Sequence, residues 1–459
     1  MTIHFNRRYS NVRVLQSRDA SDFLSYVDQG SFLGLRALNR GPIVHFTWRY
    51  SHQPADAEIN QFNNRLADGL LGRLVQRSAL PFGRHRWVAN PTATPVSWFR
   101  SSIRQDELAA WRSSLINLPI DPEHGPGWRL AVQSLAGGGC AISLLVSHTI
   151  ADGEGVGIAV TEAISGQHSR CQHPARMSRW LPRALISDCA ESLRTLPDLF
   201  SAIGFLLRRY RPMKSKLGYR LPKTQSCIAT ERKSAVTVPL VQVTMERDAV
   251  DEASAVRGVA ANTLVASFTA HLASHMGRVN ASGRVTLVLP VSDRTAGDCR
   301  GNALRSISLN IDPCTELGEL RELQVAIRSA LALLLRHGDD LSPMFPLIPY
   351  VPVRLARGLE RLAHGLDMPS GCSLLGVLPE SVNRPFGESS LLLISLLERF
   401  TQAELDHLQG QLFLVGYMTK RHYMVTVAGY APGRITTTTQ LRPLVRDALT
   451  KVGLRGEVT

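Results

Sequence analysis

One short polar segment of this sequence carries side chains suited to proton transfer. It follows the apolar run 140–146, whose β-branched and large aliphatic residues predict a buried strand. His148 comes directly after that strand, Asp152 follows four residues later, and Gly153 is next. Because an imidazole has an ordinary pKa near ~6.5, His148 can take a proton from an alcohol, amine or thiol at neutral pH. Gly153 allows a sharp turn, which leaves its backbone N–H close to the group that the imidazole faces.

A hairpin and a helix are predicted on either side of this segment. Residues 128–132 are typical of a strand, and three consecutive glycines at 137–139 provide the turn into the histidine strand. Downstream, Val156, Val160 and Ile164 have helical spacing. The segment is therefore predicted to connect a buried strand to a helix.

The pattern His-x-x-x-Asp-Gly at residues 148–153 resembles the signature of the CoA-dependent acyltransferase superfamily. This group includes chloramphenicol acetyltransferase, the condensation domains of peptide synthetases and the wax ester synthase/diacylglycerol acyltransferases. Residues 127–132 resemble its Trp-Arg strand. Residues 291–294 and the pair Gly301-Asn302 resemble the Pro-Val-Ser-x-Arg and Gly-Asn segments of the wax ester synthase branch, in the same order. That branch is the most similar.

The resemblance implies a fold and a domain organisation. It implies two chloramphenicol-acetyltransferase-like α/β sandwich domains in a V arrangement, with His148 in a tunnel between them. The N-terminal domain would span residues 1–165, a basic crossover linker 166–234, and the C-terminal domain 235–459. Periodicity and a length of 459 residues alone support only an α/β protein of two or three domains.

The resemblance also implies an activity. An acyl group would move from a thioester, of CoA or of an acyl carrier protein, to an alcohol or amine, with the alcohol favoured. His148 would be the general base. Asp152 would hold its loop through an ion pair with Arg294, while the Gly153 N–H and Ser373 would face the oxyanion. No metal and no bound cofactor is expected, and the residues that hold the thioester are not assigned.

Three further features bear on the site. Asn302 is predicted to support it, because it lies in the Gly-Asn segment. Two positions depart from the family pattern: Ser147 stands where the wax ester synthase and condensation branches usually carry a second histidine, and Leu374 stands where an asparagine is usual. Both departures favour the alternative function, a non-catalytic protein of condensation fold that binds a carrier protein or a lipid.

Elements elsewhere are predicted from apolar spacing. Residues 43–50 alternate as a strand does, and His45 within them is interpreted as a strand residue on the polar face rather than a base. Residues 57–77 and 256–276 have the spacing of helices buried on one side. Residues 371–379 resemble a loop of the wax ester synthase branch. Near the C-terminus, 412–418 and 423–430 predict paired strands.

Composition and motifs exclude several other classes. The formal charge of +14 suits phosphorylated carriers, CoA or anionic lipids. No zinc-finger spacing or aromatic-rich RNA motif accompanies it, so nucleic acid is not expected. Walker A, His-Glu-x-x-His and Gly-x-Ser-x-Gly motifs are absent from the sequence. The seven cysteines show no Cys-x-x-Cys spacing, which predicts a reducing, cytoplasmic setting. No apolar run has the length of a signal peptide or a membrane span.

The basic segment after the motif helix permits two interpretations. Residues 193–210 form an amphipathic pattern followed by arginines, and Pro197 suits a first helical turn. The favoured interpretation is a helix that bridges the two domains, with its charges facing water. The other is peripheral contact with an anionic membrane, at its inner surface, because a basic amphipathic helix can lie in the interface.

Overall fold

The computed structural model describes residues 22–167, 171–210, 236–313, 319–338, 342–358, 368–387 and 391–459. In this part, the chain is a mixed α/β protein of two halves, each a β-sheet with helices packed on it. The predicted α/β architecture is confirmed. The described strands are β1 Ile43–Tyr50, β2 Arg73–Gln76, β3 Arg86–Ala89, β4 Ser97–Ile103, β5 Trp128–Leu135, β6 Cys140–Ser147, β7 Leu240–Glu246, β8 Val285–Ser292, β9 Leu304–Ile311, β10 Ser370–Val377, β11 Leu391–Leu397, β12 Gln411–Met418, β13 His422–Tyr430 and β14 Glu457–Val458.

Helices connect most of these strands. The described helices are α1 Tyr26–Leu38, α2 Asp56–Asp68, α3 Leu108–Ser114, α4 Gly153–Ser165, α5 Leu181–Arg194, α6 Leu196–Tyr210, α7 Arg247–Arg257, α8 Ala261–His275, α9 Leu320–His337, α10 (residues 353–358), α11 Glu380–Asn383, α12 Gln402–His407 and α13 Thr438–Lys451. Among the described residues, 3₁₀ segments cover Gln105–Glu107, Leu115–Asn117 and Ser342–Tyr350.

The first sheet places the predicted histidine strand at its centre. Its order is β11-β1-β6-β5-β4, and β6 is antiparallel to both β1 and β5. Every residue of β6 is buried, because helices or loops cover both faces of the sheet at this point. A strand buried on both faces reads as a continuous apolar run, which explains why residues 140–146 show no alternation.

The second sheet has the order β14-β7-β13-β12-β10-β8-β9. Its central strands β12 and β13 pair antiparallel, as predicted from residues 412–418 and 423–430. The helix α8 packs on this sheet and is buried along most of its length, with Leu264, Phe268 and Leu272 in the core. This second core is separate from the first, which is built around β1, β6 and α4.

One strand from late in the chain completes the first sheet. The strand β11 pairs antiparallel with β1 along its whole length, from Ile43 opposite Leu397 to Arg49 opposite Leu391. The two halves are therefore joined by shared backbone hydrogen bonds as well as by packing. Local sequence patterns do not indicate this exchange, because strand pairing is a long-range property.

Three predicted elements differ in the structure. The helix expected over 57–77 ends at Gly69, which caps α2, and the chain then forms β2. The helix expected over 256–276 is two helices, because Gly258 adopts the left-handed conformation (φ 64°) that ends α7. The loop expected at 371–379 is mostly β10, which pairs parallel with β8 and β12.

The structure pairs two cysteines that the sequence left unpaired. Cys171 and Cys299 form a disulfide that joins residues 128 positions apart. No local spacing pattern marks such a pair, since only the tertiary fold brings it together. Disulfides persist mainly in oxidising compartments. The bond does not support the predicted reducing, cytoplasmic setting, which stays a prediction. Within the described residues, no helix is long and apolar enough to cross a membrane.

Candidate active site between the two halves

His148 lies where the first sheet meets the second half of the chain. The strand β6 ends at Ser147, and a turn closed by the Ile150 N–H donating to the Ser147 carbonyl follows (2.8 Å). The His148 N–H donates to the Pro42 carbonyl at 2.9 Å, which fixes the backbone at this residue. The His148 side chain is half-buried and lines a cavity between the halves.

Asn302 selects the tautomer of the His148 ring. The His148 Nδ1 lies 2.7 Å from the Asn302 Oδ1. The Asn302 amide nitrogen donates to the Asp28 Oδ1 (3.1 Å) and to the His148 carbonyl (3.0 Å). Because both of those partners only accept, the amide cannot be reversed without losing them, so its oxygen faces the ring. His148 Nδ1 must therefore carry the hydrogen, which leaves a lone pair on Nε2 in the neutral ring.

A buried carboxylate from α1 holds that asparagine. Asp28 is fully buried, and its Oδ1 accepts from the Asn302 N–H at 2.6 Å while its Oδ2 accepts from the Gly301 N–H at 3.1 Å. Gly301 permits this approach, since a Cβ there would lie 2.8 Å from the Asp28 Oδ1 and from the Thr149 carbonyl. A chain of contacts thus runs from Asp28 through Asn302 to His148. Asp28 was not predicted as a site residue, because it looks like an ordinary acidic residue in a first helical turn.

Asp152 joins the histidine loop to the other half of the chain. It is the N-cap of α4, and its Oδ1 accepts from the Gly155 N–H at 2.7 Å. Its Oδ2 accepts from the Arg294 guanidinium at 2.8 Å and from the Ala303 N–H at 2.9 Å. Its own N–H donates to the Gly301 carbonyl at 2.9 Å. Asp152 is therefore a structural link, and its carboxylate oxygens are fully engaged.

The predicted partner of Asp152 is in direct contact with it. The side chains of Arg294 and Asp152 are 1% and 2% exposed. Arg294 also donates to the carbonyls of Asp298, Arg300 and Gly301, at 3.2, 3.0 and 3.1 Å. A buried charge of this kind needs both an ionic partner and hydrogen bonds, and Arg294 has both.

A second buried arginine secures the same junction from the first half. Arg73 is 1% exposed, stacks on the Trp87 ring at 4.2 Å, and donates to the carbonyls of Ile150 (2.7 Å) and Cys299. Burial lowers its pKa to about 10, so it remains a cation at neutral pH. Arg73 holds the histidine loop against the segment that carries Arg294. Its contacts join distant parts of the chain, and sequence spacing does not indicate them.

The cavity at His148 is narrow and mostly apolar. Its volume is about 120 Å³, and its lining comes from both halves of the chain. Gly153 opens onto it, with its N–H among the first-turn groups of α4 that have no acceptor within the helix. Glu154 lines it too and accepts from the Ser292 hydroxyl. The residues around the cavity are Val44, His148, Gly153, Glu154, Pro290, Ser292, Leu304, Ser373, Leu374, Leu375, Ile394, Ser395, Leu396, Phe413 and Val415.

All the predicted site residues therefore gather at this junction. His148, Gly153 and Ser373 line the cavity, and the remaining three, Asp152, Arg294 and Asn302, build the scaffold behind it. The two departures from the family pattern have different consequences. Ser147 is 6% exposed and does not line the cavity. Leu374 does line the cavity, and its side chain makes that part of the wall apolar.

The described cysteines offer no nucleophile to this cavity. Burial raises the pKa of Cys372, the neighbour of Ser373 on β10, to about 12, and that of Cys140 to about 12. A thiol that stays protonated at neutral pH is a poor nucleophile. The His148 imidazole is the group lining this cavity that is suited to taking up a proton at neutral pH.

His45 is a core residue. It is fully buried and lies within hydrogen-bond distance of the hydroxyls of Thr47 (3.0 Å), Ser143 (3.2 Å) and Ser395 (3.4 Å). Burial, together with the nearby Arg112 guanidinium, holds its pKa well below the ordinary value. His45 was expected on a polar face of its strand, and in the structure that face is a buried cluster of polar side chains. His45 does not line the cavity.

The low pKa of His45 predicts a pH effect on stability. The folded protein keeps this ring neutral, while the unfolded chain takes up a proton below about pH 6.5. The contribution of His45 to the free energy of unfolding should therefore be complete above about pH 6.5. It should be lost as the pH falls below that value, with a slope that approaches about 1.4 kcal/mol per pH unit. In urea unfolding between about pH 5 and pH 6, His45→Gln should reduce the slope by most of that amount. An unchanged slope would show that His45 is not the group responsible.

Asn302 yields a separate prediction. Asn302→Ala removes the acceptor of the Nδ1 hydrogen and should slow catalysis by up to about 10²-fold, since a misplaced reacting group can cost that much. The loss should fall on kcat rather than KM, because Asn302 does not line the cavity. Asn310→Ala on β9, which removes a contact with Thr286 on the same sheet, is the matched control. Equal kcat losses in the two variants would rule out a positioning role for Asn302.

Several solved protein structures share the fold of this chain. The first condensation domain of the calcium-dependent antibiotic synthetase, in complex with a substrate analogue, matches with a TM-score of 0.57. The match covers 94% of this chain and 95% of that one, at 15% sequence identity. This chain has the condensation-domain fold. The predicted pair of chloramphenicol-acetyltransferase-like halves agrees with it.

Two other proteins share the condensation-domain fold with this chain. Polyketide synthase associated protein 5 from Mycobacterium tuberculosis has a TM-score of 0.54 at 13% identity, covering 94% of this chain and 97% of that one. A mutant starter condensation domain of rhizomide synthetase, in complex with C8-CoA and Leu-SNAC, has a TM-score of 0.52 at 16% identity, covering 94% of each chain. No family model and no curated protein matches the sequence.

Proposed function

We propose that this protein is an acyltransferase that moves an acyl group from a thioester to an alcohol or amine. The observation that carries the proposal is the contact between Asn302 and His148, which leaves the Nε2 lone pair of His148 as the available base beside the cavity. A base for this reaction needs a lone pair at neutral pH and a fixed orientation.

The proposed reaction uses groups that line the cavity. His148 Nε2 takes the proton of the acceptor O–H or N–H as its oxygen or nitrogen attacks the thioester carbonyl carbon. The resulting oxyanion is stabilised by two donors from residues of the cavity lining, the Gly153 N–H and the Ser373 hydroxyl. When the intermediate collapses, the carbon–sulfur bond breaks and the thiolate takes the proton from the imidazolium. Acid–base catalysis of this kind needs neither a metal nor a bound cofactor.

The lining of the cavity bears on the substrates. Its walls are largely leucine, isoleucine, valine and proline, which suits an aliphatic acyl chain. The donor is the thioester of CoA or of an acyl carrier protein. The complex of the rhizomide synthetase domain with C8-CoA supports acyl-CoA as the donor. The finer assignment to the wax ester synthase branch, with an alcohol preferred over an amine, rests on residues 291–294 and on Gly301-Asn302.

The alternative is a non-catalytic protein of this fold that binds a carrier protein or a lipid. Ser147 and Leu374 favoured it from the sequence. Ser147 no longer favours this non-catalytic function, because the side chain at that position is buried away from the cavity. Leu374 still favours the non-catalytic function, since it stands in the cavity wall where the family pattern has an asparagine.

An acyl-transfer assay distinguishes the two functions. The purified protein is incubated with acyl-CoA of increasing chain length and with a panel of acceptors, and the ester or amide is identified by mass spectrometry. The panel includes cationic amines, because Glu154 places one carboxylate in the cavity wall. Acceptor-dependent product formation that needs His148 supports the enzyme. Thioester binding without product for any acceptor supports the binding protein.

A further inference from the structure

The two helices after the motif helix display an apolar ridge that no described part of the chain covers. The helices α5 and α6 are separated by Thr195 alone, and the helical hydrogen bonds continue across it, from Thr195 to Glu191 (3.0 Å) and from Leu199 to Thr195 (3.1 Å). Large apolar side chains recur on it every seven residues, and all are exposed: Ile186 71%, Leu193 66%, Phe200 67% and Leu207 62%. We call these four residues the apolar ridge.

Seven-residue spacing puts the apolar ridge on one line along the helices. Successive positions are nearly two helical turns apart, so the side chains project in almost the same direction over about 30 Å. The opposite side faces the protein, where Ala202 is fully buried and α6 packs on the 3₁₀ segment Ser342–Tyr350. The helices therefore pack on the body of the protein, and the bridge between two domains stays a prediction. Ile203 and Leu206, on the same helix, are 37% and 36% exposed.

The exposed charges beside the apolar ridge are positive. Arg183, Arg194 and Arg208 are exposed there. The described acidic residues of α5 and α6 are buried or half-buried. Asp188 accepts from Ser78 and Arg179 (2.7 and 3.1 Å), and Glu191 accepts from Arg84 and from Arg194 (3.0 Å). Arg194 is therefore ion-paired within α5, and Arg183 and Arg208 supply the remaining positive charge beside the ridge.

At the start of α5 the exposed surface continues with the same character. Met177, Trp180 and Leu181 are 79%, 71% and 66% exposed, and Arg176 is exposed beside them. Tryptophan and arginine together are typical of side chains that lie at the boundary between lipid and water.

We propose that the apolar ridge and its flanking arginines dock on an anionic membrane surface. A long ridge that is apolar along its centre and cationic along one side is the form of a helix lying in the lipid interface. Each arginine near the surface gains from the negative lipid headgroups. A second copy of this chain is a poorer occupant, because two such faces carry the same charge and repel each other.

Vesicle co-sedimentation tests this surface directly. The full-length protein is mixed with vesicles of phosphatidylcholine alone, or of phosphatidylcholine with phosphatidylglycerol, at low and high salt. We expect binding to the mixed vesicles only, weakened by salt because screening reduces the attraction of exposed charges. Phe200→Gln with Leu207→Gln should weaken binding about tenfold or more, because two large apolar side chains no longer enter the interface. Arg183→Gln with Arg208→Gln should weaken it by at least as much.

Matched substitutions elsewhere control for exposure and charge. Val256→Gln on α7 and Leu333→Gln on α9 change apolar residues that are 78% and 58% exposed. Arg104→Gln changes an arginine whose side chain is 72% exposed. We expect these variants to bind like the wild type, and all variants to keep the wild-type melting temperature.

Four results would overturn the proposal. They are an absence of binding to the mixed vesicles, equal binding to neutral vesicles, equal weakening by the control variants, and a concentration-dependent dimer that the ridge variants abolish. The acyl-transfer assay in detergent-free solution is run on the same ridge variants. Their activity there should be unchanged, so failure of membrane docking and failure of the acyltransferase assignment are distinguishable.

Discussion

We expect His148→Ala to slow acyl transfer by a factor of about 10² to 10⁴, the usual contribution of a general base. The loss should fall mainly on kcat, because the substitution removes the proton acceptor and leaves the apolar walls of the cavity in place. Stability should change little, since His148 is half-buried and gives up one side-chain hydrogen bond, to Asn302. Such a bond contributes about 1 kcal/mol.

Steady-state kinetics on the acyl-CoA and acceptor pair found in the transfer assay measure this effect. His52→Ala is the control, because His52 is exposed and lies outside the cavity. Turnover of His148→Ala close to that of His52→Ala would remove His148 from the reaction. A loss confined to KM would make His148 a binding residue instead.

The second large effect is on stability. Asp152→Asn should destabilise the protein by about 3–5 kcal/mol, because Arg294 would remain buried without its ionic partner. Asparagine can still cap α4, so the loss of the N-cap does not account for the change. Activity should fall with stability, since the Asp152 carboxylate also accepts from the Ala303 N–H next to Asn302.

A double-mutant cycle isolates the ion pair. Arg294→Met should cost about as much as Asp152→Asn, and the double variant should cost clearly less than the sum. The exposed pair of Arg100 and Asp56, 56% and 46% exposed, is the comparison. Its coupling should be much weaker than that of Asp152 with Arg294, because solvent screens exposed pairs. Additive losses at Asp152 and Arg294 in urea unfolding would contradict a direct energetic coupling.

Local sequence patterns predict the part of the site that is local in the chain. The run 140–146, the turn at 148–153 and the helix after it are contiguous, so apolar spacing and glycine positions identify them. Arg294 and Asn302 lie far from His148 in sequence, and only the resemblance to a known family pointed to them. Asp28 and Arg73 were missed, because a single charged residue in a helix or strand looks the same whether it is exposed or buried.

The same limit applies to the fold. Helix and strand types are mostly recovered, since they depend on spacing within about a dozen residues. The end of α2 at Gly69 was missed, because the leucines that continue beyond it keep a helical spacing by coincidence. The exchange of β11 into the first sheet and the pairing of Cys171 with Cys299 depend on the tertiary fold alone. The exposure of Phe200 and Leu207 likewise depends on how α6 packs, which local sequence patterns do not indicate.

Catalysis by His148 requires a neutral ring with its hydrogen on Nδ1 and its lone pair on Nε2. Nitrogen-15 NMR of the histidine-labelled protein at neutral pH measures this state, with His148→Gln used to assign the signal. We predict a protonated Nδ1 and an unprotonated Nε2 in the wild type, and a mixture of both forms in Asn302→Ala. A hydrogen on Nε2 in the neutral wild-type ring would contradict the role of His148 as the base.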